Sequence, residues 1–490
     1  MAVASNSRIM RIVPLLIAVC LVGVAASGQM STYVFVPDQS TVVQTGGIVG
    51  VPRTYSIKGE FQLTVDPNAG TASFAHVDAN ATDDSPFKRT LDLNHVFNMT
   101  SLVGTVEPSG SIKFTGKASD GSDVGITVAL QDDLAHLIGQ TTPPPNSADF
   151  FIFSLDAVAT RKYGGGSGTE EDPYQIATAE DLIALGETPE DYDKHFILTA
   201  DIDLSPNLPR RKVFDKAVIA PDTDAVKSYF QGTSFTGVFD GNGHKISHLT
   251  ITGNYYLGLF GQLAFGAELK DLGVVDVNTS GYGSCVGGLA GLNDGAVTHC
   301  YTTGVVSGWH VGGLVGYNRR GTLTNCYSTG LVSVGSSVGG LVGSNDGAVT
   351  GCYSTGVVSG YSEVGGLVGS NEGTLTHCYS TGAVTGTGQN LGGLVGVSGE
   401  WMEVTASFWD TQTSGQATSA GGTGMTTGEM QTAGTFLDAG WDFVNVWGIG
   451  ENQTYPYLRK YSAADINQDA GVNFLDLAAL AENWLTGMAP

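Results

Sequence analysis

The sequence has few charged side chains, and only a minority of these are basic. Charged residues make up 14% of the 490 residues, with 22 Lys and Arg against 47 Asp and Glu, which gives a formal net charge of −25. A chain this acidic argues against nucleic acid or an anionic membrane as the partner. The composition instead fits solubility outside the cell, or partners that bring divalent cations.

Long hydrophobic runs are absent after the first 28 residues, so no later segment reaches the roughly 20 apolar residues that cross a bilayer. Residues 1–28 have the features of a secretory signal. Arg8 and Arg11 precede the short apolar stretch from Ile12 to Val24, and small residues suited to cleavage follow. We therefore expect a signal peptide at 1–28 and a secreted, extracellular protein, either free or associated with the cell surface.

Cysteine is scarce, and an odd number remains after removal of the signal peptide. One is Cys285, and the other four recur every 26 residues, each followed by tyrosine: Cys300, Cys326, Cys352 and Cys378. An odd number excludes a fully paired set of intramolecular disulfides. Stacked strands would place the four roughly 4.8 Å apart with parallel side chains, which disfavours disulfides between them. We expect buried free thiols, with a metal-binding column as the less favoured alternative.

Glycine is abundant, and much of it lies in a repeat. The 70 glycines include five GGL blocks whose leucines are 25, 27, 26 and 27 residues apart: Leu289, Leu314, Leu341, Leu367 and Leu394. A fixed period of this length is typical of a solenoid. The differences in spacing fall in the bends, as expected when stacked strands carry the core. The pattern predicts a right-handed, three-sided parallel β-helix of about 26-residue coils over residues 235–410.

Asparagine also recurs at one bend of each coil, at Asn293, Asn318, Asn345 and Asn371. Asn and Gly tolerate positive φ, so the repeated Asn-Asp/Glu-Gly is turn chemistry. Stacked amides can also form hydrogen bonds from coil to coil. A calcium-binding acidic edge at Asp294, Asp346 and Glu372 is the functional alternative, although the arginines at 319–320 interrupt it.

The repeat resembles the GLUG motif, named for glycine, leucine, a hydrophobic residue and glycine. Gly313-Leu314-Val315-Gly316 and its equivalents carry the motif. Together with DGNGHKI before the repeats and SFWDTQTSG after them, the resemblance covers roughly Tyr163 to Leu458. It implies an exported β-helical protein. It implies no particular reaction, because members of the family mostly have none assigned.

The segment before the repeats predicts a separate unit. Residues 31–160 contain alternating β-type runs separated by turn residues, which predicts an antiparallel β-sandwich or barrel. No catalytic constellation is recognisable within it. Residues 161–168, with the sequence RKYGGGSG, are predicted as a flexible linker.

Both ends of the β-helix are expected to be capped, since terminal repeats otherwise expose the core. The N-terminal cap and first strands at 169–234 include a helix that begins with a capping box formed by Thr178 and Asp181. The C-terminal cap at 411–458 includes a helix that begins at Thr426 and ends near Leu437. The aromatic segment GWDFVNVWGI that follows is predicted to plug the last coil.

The last 30 residues contain the sharpest chemical motif of the chain. Oxygen ligands recur at loop positions 1, 3, 5, 7, 9 and 12, which are Asp465, Asn467, Asp469, Gly471 through its carbonyl, Asn473 and Asp476. Calcium binds roughly six to eight hard oxygens, so the spacing predicts an EF-hand-like Ca²⁺ site.

This loop and the helix after it, at 461–487, resemble one half of a type I dockerin. The resemblance implies a cohesin-like domain as a partner. The sequence departs from the pattern at two points, because Ala470 replaces the usual glycine and only one such loop is present. Ala470 strains the turn and weakens the predicted calcium site, whereas the single loop counts against cohesin binding, because the resemblance implies two such loops in a dockerin that binds cohesin.

An enzyme on the β-helix would need carboxylates and a basic group converging on one face. The best candidates are Asp240 and His244 in one coil and Asp271 and Asp276 in the next. They would suit a polysaccharide lyase or glycoside hydrolase. The simpler interpretation is a glycine-rich turn with exposed acids.

A binding surface is the stronger interpretation. The bend after the third strand carries Trp309 in one coil and Tyr361 two coils later. Exposed aromatic rings on a rigid surface can stack on sugar rings. We therefore predict a rigid binding or adhesion scaffold for extracellular polysaccharide or cell-surface glycan, with the enzyme as the alternative.

Overall fold

A computed structural model describes residues 29–46, 52–66, 68–83, 88–107, 110–131, 134–144, 151–208, 212–224, 226–227, 229–400 and 402–459. The chain divides into two compact units, with the boundary between Thr160 and Arg161. The predicted signal peptide and the predicted calcium loop and helix lie outside the described residues.

The first unit is an antiparallel β-barrel. Its strands are β1 (Gln29–Phe35), β2 (Thr41–Gly46), β3 (Arg53–Asp66), β4 (Thr71–Asp83), β5 (Thr90–Asp92), β6 (Val103–Val106), β7 (Ile112–Lys117), β8 (Asp123–Gln131), β9 (Leu134–Thr142) and β10 (Phe151–Arg161), with helix α1 at Leu93–Phe97. The order β3-β2-β10-β9-β8-β7-β6-β4 returns to β3, which closes a barrel of eight strands. Of the two predicted architectures, sandwich or barrel, the barrel is therefore the one that forms.

Aromatic side chains fill the barrel. The rings of Tyr33, Phe61, Phe74 and Phe114 follow one another with centroids 5.4, 5.6 and 4.4 Å apart. Strand β9 alternates exposed and buried residues along its whole length. This alternation is the period-two pattern of a strand with one face on the core and one face on solvent.

The second unit contains the predicted parallel β-helix, whose strands lie in four sheets, named I to IV in the order in which a coil passes through them. Sheet I contains Phe260–Leu263, Ala290–Asn293, Val315–Asn318, Val342–Asn345, Val368–Asn371 and Val395–Ser398. Sheet II contains Tyr174–Ile176, His195–Leu198, Val238–Asp240, Glu268–Lys270, Ala296–Thr298, Thr322–Thr324, Ala348–Thr350, Thr374–Thr376 and Val404–Thr405. The remaining two sheets complete each coil.

Sheet III is the longest of the four. It contains Ile202–Asp203, Lys245–Ser247, Thr250–Gly253, Gly273–Gly281, Tyr301–Ser307, Tyr327–Ser328, Leu331–Ser333, Tyr353–Ser354, Val358–Gly360, Tyr379–Ser380, Val384–Gly386, Phe408–Asp410 and Thr423–Met425. Sheet IV is short and contains His310–Gly312, Ser337–Gly339, Val364–Gly365 and Leu391–Gly392. It adds a fourth strand position to the three sides expected from the repeat.

The repeated cysteines form an internal column between sheets II and III. All four are free and fully buried. The backbone N–H of Cys300 donates to Cys326 Sγ at 3.4 Å, and that of Cys326 donates to Cys352 Sγ at 3.3 Å. Ser407 continues the column, because its Oγ accepts from the N–H of Cys378 at 3.1 Å. The prediction of stacked, buried free thiols is confirmed.

The repeated asparagines form a second internal column, at the bend between sheets I and II. Each side-chain Nδ2 donates to the Oδ1 of the next coil, at 2.9 Å from Asn293 to Asn318, 2.7 Å from Asn318 to Asn345 and 2.8 Å from Asn345 to Asn371. All four side chains are fully buried. The predicted amide ladder is therefore present.

The carboxylates beside the asparagine column are bound by other protein groups. Arg319 Nε donates to Asp294 Oδ1 at 2.9 Å, and its second nitrogen donates to Asp294 Oδ2. Asp346 accepts a hydrogen bond from the Tyr317 hydroxyl. Two of the three carboxylates in the alternative calcium-binding edge are therefore engaged by other side chains.

The N-terminal cap contains helix α2 (Ala179–Glu187), and its predicted capping box is present. Residues 161–168 were predicted as a flexible linker, but the structure packs them against this cap. Tyr163 is buried beside Tyr174, with ring centroids 5.0 Å apart, and its hydroxyl donates to Asp191 at 2.7 Å. The glycines here permit close packing, since a Cβ on Gly166 would lie 2.0 Å from the carbonyl oxygen of Pro173.

The C-terminal cap differs from the prediction in two respects. The single helix expected after Thr426 is divided into α4 (Thr427–Met430) and α5 (Ala433–Leu437), which follow α3 (Thr411–Ser414). Short strands Trp447–Gly448 and Tyr457–Leu458 complete the cap. The rings of Trp441 and Trp447 cover the outer face of sheet III at Tyr379 rather than plugging the last coil. Trp409 joins the β-helix core instead, because it points inward from the last coil.

Candidate functional site

Trp309 and Tyr361 lie at the bend between sheets III and IV, in coils that are two apart. Their side chains are 48% and 53% exposed. The ring centroids lie 6.3 Å apart, and the rings are tilted by 42° relative to each other. The two aromatic residues singled out in the sequence are thus adjacent on the surface.

Gly335 occupies the equivalent position in the coil between them. The N–H of Tyr361 donates to Gly335 O at 2.8 Å. Gly335 has a φ of 121°, and a Cβ there would lie 2.2 Å from Gly308 O and 2.4 Å from Trp309 O. Because no side chain fits at this position, the two rings approach each other across the intervening coil. The sequence alone did not identify Gly335, because its equivalence to Trp309 and Tyr361 is recognised only when the bends of successive coils are aligned.

A row of polar side chains borders the aromatic pair. His310, Ser337 and Glu363 occupy equivalent positions in three successive coils at the start of sheet IV. Each precedes a fully buried core valine; His310 and Glu363 are partly exposed, whereas Ser337 is buried. Ser337 Oγ donates to Glu363 Oε2 at 2.6 Å. Burial lowers the pKa of His310, and the nearby Glu363 carboxylate opposes this shift.

Tyr282 adds a third aromatic ring to this bend. Ser280 pairs with Ser307, so Tyr282 lies one coil before Trp309 and at the corresponding place. Its side chain is 74% exposed. The bend therefore presents aromatic residues from three coils, with Gly335 as the one interruption.

The catalytic candidates from the sequence lie on two neighbouring coils, Asp240 and His244 on one and Asp271 and Asp276 on the next. Each is paired with a different residue: Asp240 with Lys270 at 3.4 Å, His244 with Asp201 at 3.0 Å, Asp271 with His299 at 3.3 Å and Asp276 with His248 at 4.0 Å. The hydrogen bond from His244 lowers the pKa of Asp201. These contacts describe a polar surface on the first coils, in which each candidate side chain is paired with another side chain.

A tyrosine ladder on the outer face of sheet III was not predicted. The rings of Tyr301, Tyr327, Tyr353 and Tyr379 stack with centroids 4.8, 4.9 and 5.0 Å apart and interplanar angles of 3°, 3° and 8°. Burial raises the pKa of Tyr327 to about 12. The sequence feature that could have predicted it is the Cys-Tyr pair in each repeat. Because neighbouring strand residues face opposite sides, a buried cysteine places the following tyrosine on the outer face of every coil. The ring faces are covered by the neighbouring tyrosines, and Trp441 and Trp447 cover Tyr379, so this ladder suits stability better than stacking on a ligand.

Metal binding and membrane insertion can be assessed only for the described residues. Within them, no three His, Cys, Asp or Glu side chains are grouped so as to hold a metal ion. None of their helices has the length and apolar character needed to span a bilayer. The six residues of the predicted calcium loop lie outside this part of the chain, so calcium binding stays a prediction.

Comparison with known proteins identifies the repeat. The family model of the GLUG motif matches residues 307–335 and 360–385, which include both Trp309 and Tyr361. The second unit is therefore a parallel β-helix that carries GLUG motifs. No solved structure shows significant similarity to the chain.

Two curated proteins share parts of the sequence. Halomucin of Haloquadratum walsbyi is 29% identical over 290 residues, which is 56% of this chain and 3% of halomucin. A protein of Evansella cellulosilytica, named as a Gly-rich membrane protein, is 44% identical over 75 residues, which is 15% of this chain and 9% of that protein. The chain thus spans only a small fraction of the length of either relative.

Proposed function

We propose that this protein is an exported scaffold whose β-helix binds glycan at the bend between sheets III and IV. The observation that carries the proposal is the contact between two half-exposed aromatic rings, Trp309 and Tyr361, across Gly335. Aromatic faces stack on the C–H faces of sugars, and a rigid backbone holds them in place before the ligand arrives. The ligand class is extracellular polysaccharide or cell-surface glycan.

The test is a glycan array probed with the mature full chain, comparing wild type with Trp309→Ala. We expect retention on at least one glycan and at least roughly tenfold weaker binding by the variant, which corresponds to the loss of about 1.4 kcal/mol. Phe265→Ala is the matched control, because Phe265 is an exposed aromatic residue at a different bend. Equal binding by wild type and Trp309→Ala would contradict the proposal.

The same incubations distinguish binding from catalysis. Products with new reducing ends or unsaturated sugars, formed by wild type and not by Asp240→Ala, would establish the polysaccharide lyase or glycoside hydrolase instead. We expect no such products, because the four candidate residues are each paired with a different side chain.

We further propose that the C-terminal loop binds one Ca²⁺ through the six oxygen ligands at 465–476. Support comes from the regular spacing of oxygen-bearing residues in the sequence. Calorimetric titration of the full chain with calcium should give one site that is lost on Asp465→Ala. Asp78→Ala, on the exposed face of β4, is the control. A cohesin-like partner is the finer proposal, tested by adding a cohesin domain with and without calcium.

A further inference from the structure

The large hydrophobic side chains that remain exposed on the middle coils of the β-helix are confined to one side of it. Between residues 271 and 400 there are seven, and all lie in the second half of sheet III or in the bend that follows it: Tyr282, Val305, Trp309, Leu331, Val334, Val357 and Tyr361. We call this surface the apolar face. Exposed hydrophobic side chains that are grouped in this way, rather than scattered singly, mark a binding surface.

Three of these side chains form a column on the outer face of sheet III. Val305 pairs with Leu331, and Val357 occupies the same place in the next coil. Their side chains are 39%, 41% and 46% exposed. The equivalent residues in the coils before and after are Asn278 and Ala383, so large aliphatic residues occupy only three successive coils.

The bend that follows has an exposed apolar side chain in each of the same three coils. These are Trp309, Val334 and Tyr361. Between the aliphatic column and the bend, one outward-facing serine of each coil is in register with the next: Ser307, Ser333 and Ser359. The hydroxyl groups of these serines have no hydrogen-bond partner among the residues that the structure describes. The apolar face therefore offers free hydroxyl groups between two sets of apolar side chains.

The charge around the apolar face selects the class of ligand. Between residues 271 and 400 the only Lys or Arg residues are Arg319 and Arg320, and both lie at the bend between sheets I and II. A uronate or sulfate group on the apolar face would meet no cation there, and it would be repelled by Glu363 beside Tyr361. The formal net charge of −25 also opposes the pairing of two copies of the chain through this face.

The columns of the apolar face run along the axis of the β-helix. Successive coils are stacked with little rotation, because the tyrosine rings on the first half of sheet III have interplanar angles of only 3°, 3° and 8°. Three coils extend over two coil spacings, or roughly 10 Å. An extended polysaccharide also repeats C–H and hydroxyl groups along its length, and it can lie on such a face without a cavity between side chains.

We propose that the apolar face binds one uncharged, extended polysaccharide chain that lies along the β-helix axis over three coils. The aliphatic column and the residues of the bend contact C–H groups of the sugars, and the three serines pair with sugar hydroxyls. The inference rests on the proposed glycan binding at Trp309 and Tyr361, and it extends that site onto sheet III.

The test titrates neutral oligosaccharides of glucose, mannose, galactose and N-acetylglucosamine, each with two and with six units, into the mature full chain. For the sugar that binds, we expect the six-unit form to bind at least roughly tenfold more tightly than the two-unit form, because only the longer chain covers three coils. Leu331→Ser should weaken binding of the six-unit form roughly fivefold, since less apolar surface is buried. Leu437→Ser, at an exposed leucine of the C-terminal cap, is the matched control and should bind like wild type. Thermal melts show whether each variant is folded.

The outcomes separate this inference from the proposed function. Dependence on chain length together with weaker binding by Leu331→Ser supports the apolar face. Equal binding of both lengths, retention of acidic glycans only, or unchanged binding by folded Leu331→Ser overturns it and leaves glycan binding at the bend intact. A wild-type dimer in light scattering that becomes a monomer in Leu331→Ser would assign the face to a second copy and also overturn it. Loss of all glycan binding, or binding indifferent to Trp309→Ala, overturns both proposals.

Discussion

The cysteine column inside the β-helix and the aromatic positions at the bend between sheets III and IV follow opposite rules. In the column, four successive coils place the same residue at the same point, and every side chain is buried. At the bend, successive coils place Tyr282, Trp309, Gly335 and Tyr361, and the aromatic side chains are exposed. Repetition is maintained where side chains stack on their own equivalents, and variation appears where side chains meet solvent.

This difference indicates where to look for function in a repeat protein. A residue that recurs in every coil has a sufficient explanation in the contacts between coils. A residue that departs from the repeat, as Trp309 does, has no such explanation. The aromatic pair and Glu363 are departures of this kind, whereas the cysteines, asparagines and tyrosines are not.

An aspartate introduced into the cysteine column, and another introduced at the bend between sheets III and IV, should give the largest difference in the free energy of unfolding. Cys352→Asp places an unpaired carboxylate in the core and should reduce the free energy of unfolding by at least about 4 kcal/mol. Tyr361→Asp should change it by less than about 0.5 kcal/mol, because that side chain already faces solvent. Thermal and urea melts of both variants check this. Equal destabilisation would show that the bend belongs to the core.

The amide ladder should be the next most sensitive feature. Asn345→Ala removes the donor to Asn371 and the acceptor of Asn318, and leaves buried polar groups unpaired. We expect a loss of about 3 kcal/mol in urea unfolding. Asn68→Ala, at an exposed turn of the barrel, is the control and should unfold like wild type. A ladder variant as stable as this control would mean that the amides contribute no net stability.

The C-terminal cap makes the stability of the protein depend on pH through the carboxyl group of Asp410. Burial alone would raise the pKa of this carboxyl, but hydrogen bonds from Thr427, Tyr455 and two backbone N–H groups lower it below its usual 3.8. The stabilisation is therefore complete above the unfolded pKa and is lost as the pH falls through the lower folded pKa.

Asp410→Asn should cost about 1–2 kcal/mol at pH 7, because the charge-assisted hydrogen bonds are weakened. The difference in Tm between wild type and variant should shrink as the pH falls below about 4. Melting curves from pH 7 to pH 3 measure it. A difference that stays constant over this range would contradict the assigned shift.

The tyrosine ladder should show the smallest effect, since it repeats but faces outward. Tyr327→Leu removes two ring stacks at 4.8 and 4.9 Å while keeping an apolar side chain. We expect a loss of about 1 kcal/mol in urea unfolding. If Tyr327→Leu lowers the free energy of unfolding as much as Asn345→Ala, the tyrosine ladder contributes as much stability as the asparagine ladder.

Much of the fold follows from the sequence because the repeat aligns identical residues. The constant spacing of Cys and Asn shows how the strands align from one coil to the next. This alignment determines the coil length, buries the thiols and stacks the amides into a ladder. The capping box of Thr178 and Asp181 is a local pattern within four residues and is present, as is a second capping box formed by Thr426 and Glu429. The choice between sandwich and barrel depends on which strands pair across long separations, and alternation alone cannot decide it.

Other features depend on tertiary contacts that no local pattern specifies. The glycines of residues 161–168 predict flexibility, but Tyr163 finds a buried position among other aromatic rings. The aromatic segment around Trp441 is hydrophobic enough to plug the β-helix, yet it covers the outer tyrosine ladder. For the candidate site, the sequence identified Trp309 and Tyr361. Their contact depends on the bend geometry at Gly335, which spacing alone does not show.

The asparagine ladder also constrains how such a scaffold changes in length. Each amide donates to the following coil, and the ladder ends where Asn371 Nδ2 donates to Gly373 O at 3.0 Å. A fragment of a coil inserted into this array would leave an amide without its partner, whereas a complete coil would restore every link. Evolution can therefore lengthen or shorten the stack only in whole units. A unit gained or lost between Trp309 and Tyr361 would change the distance between the two rings by one coil spacing. The ladder therefore restricts the possible distances between the aromatic residues that we propose bind glycan.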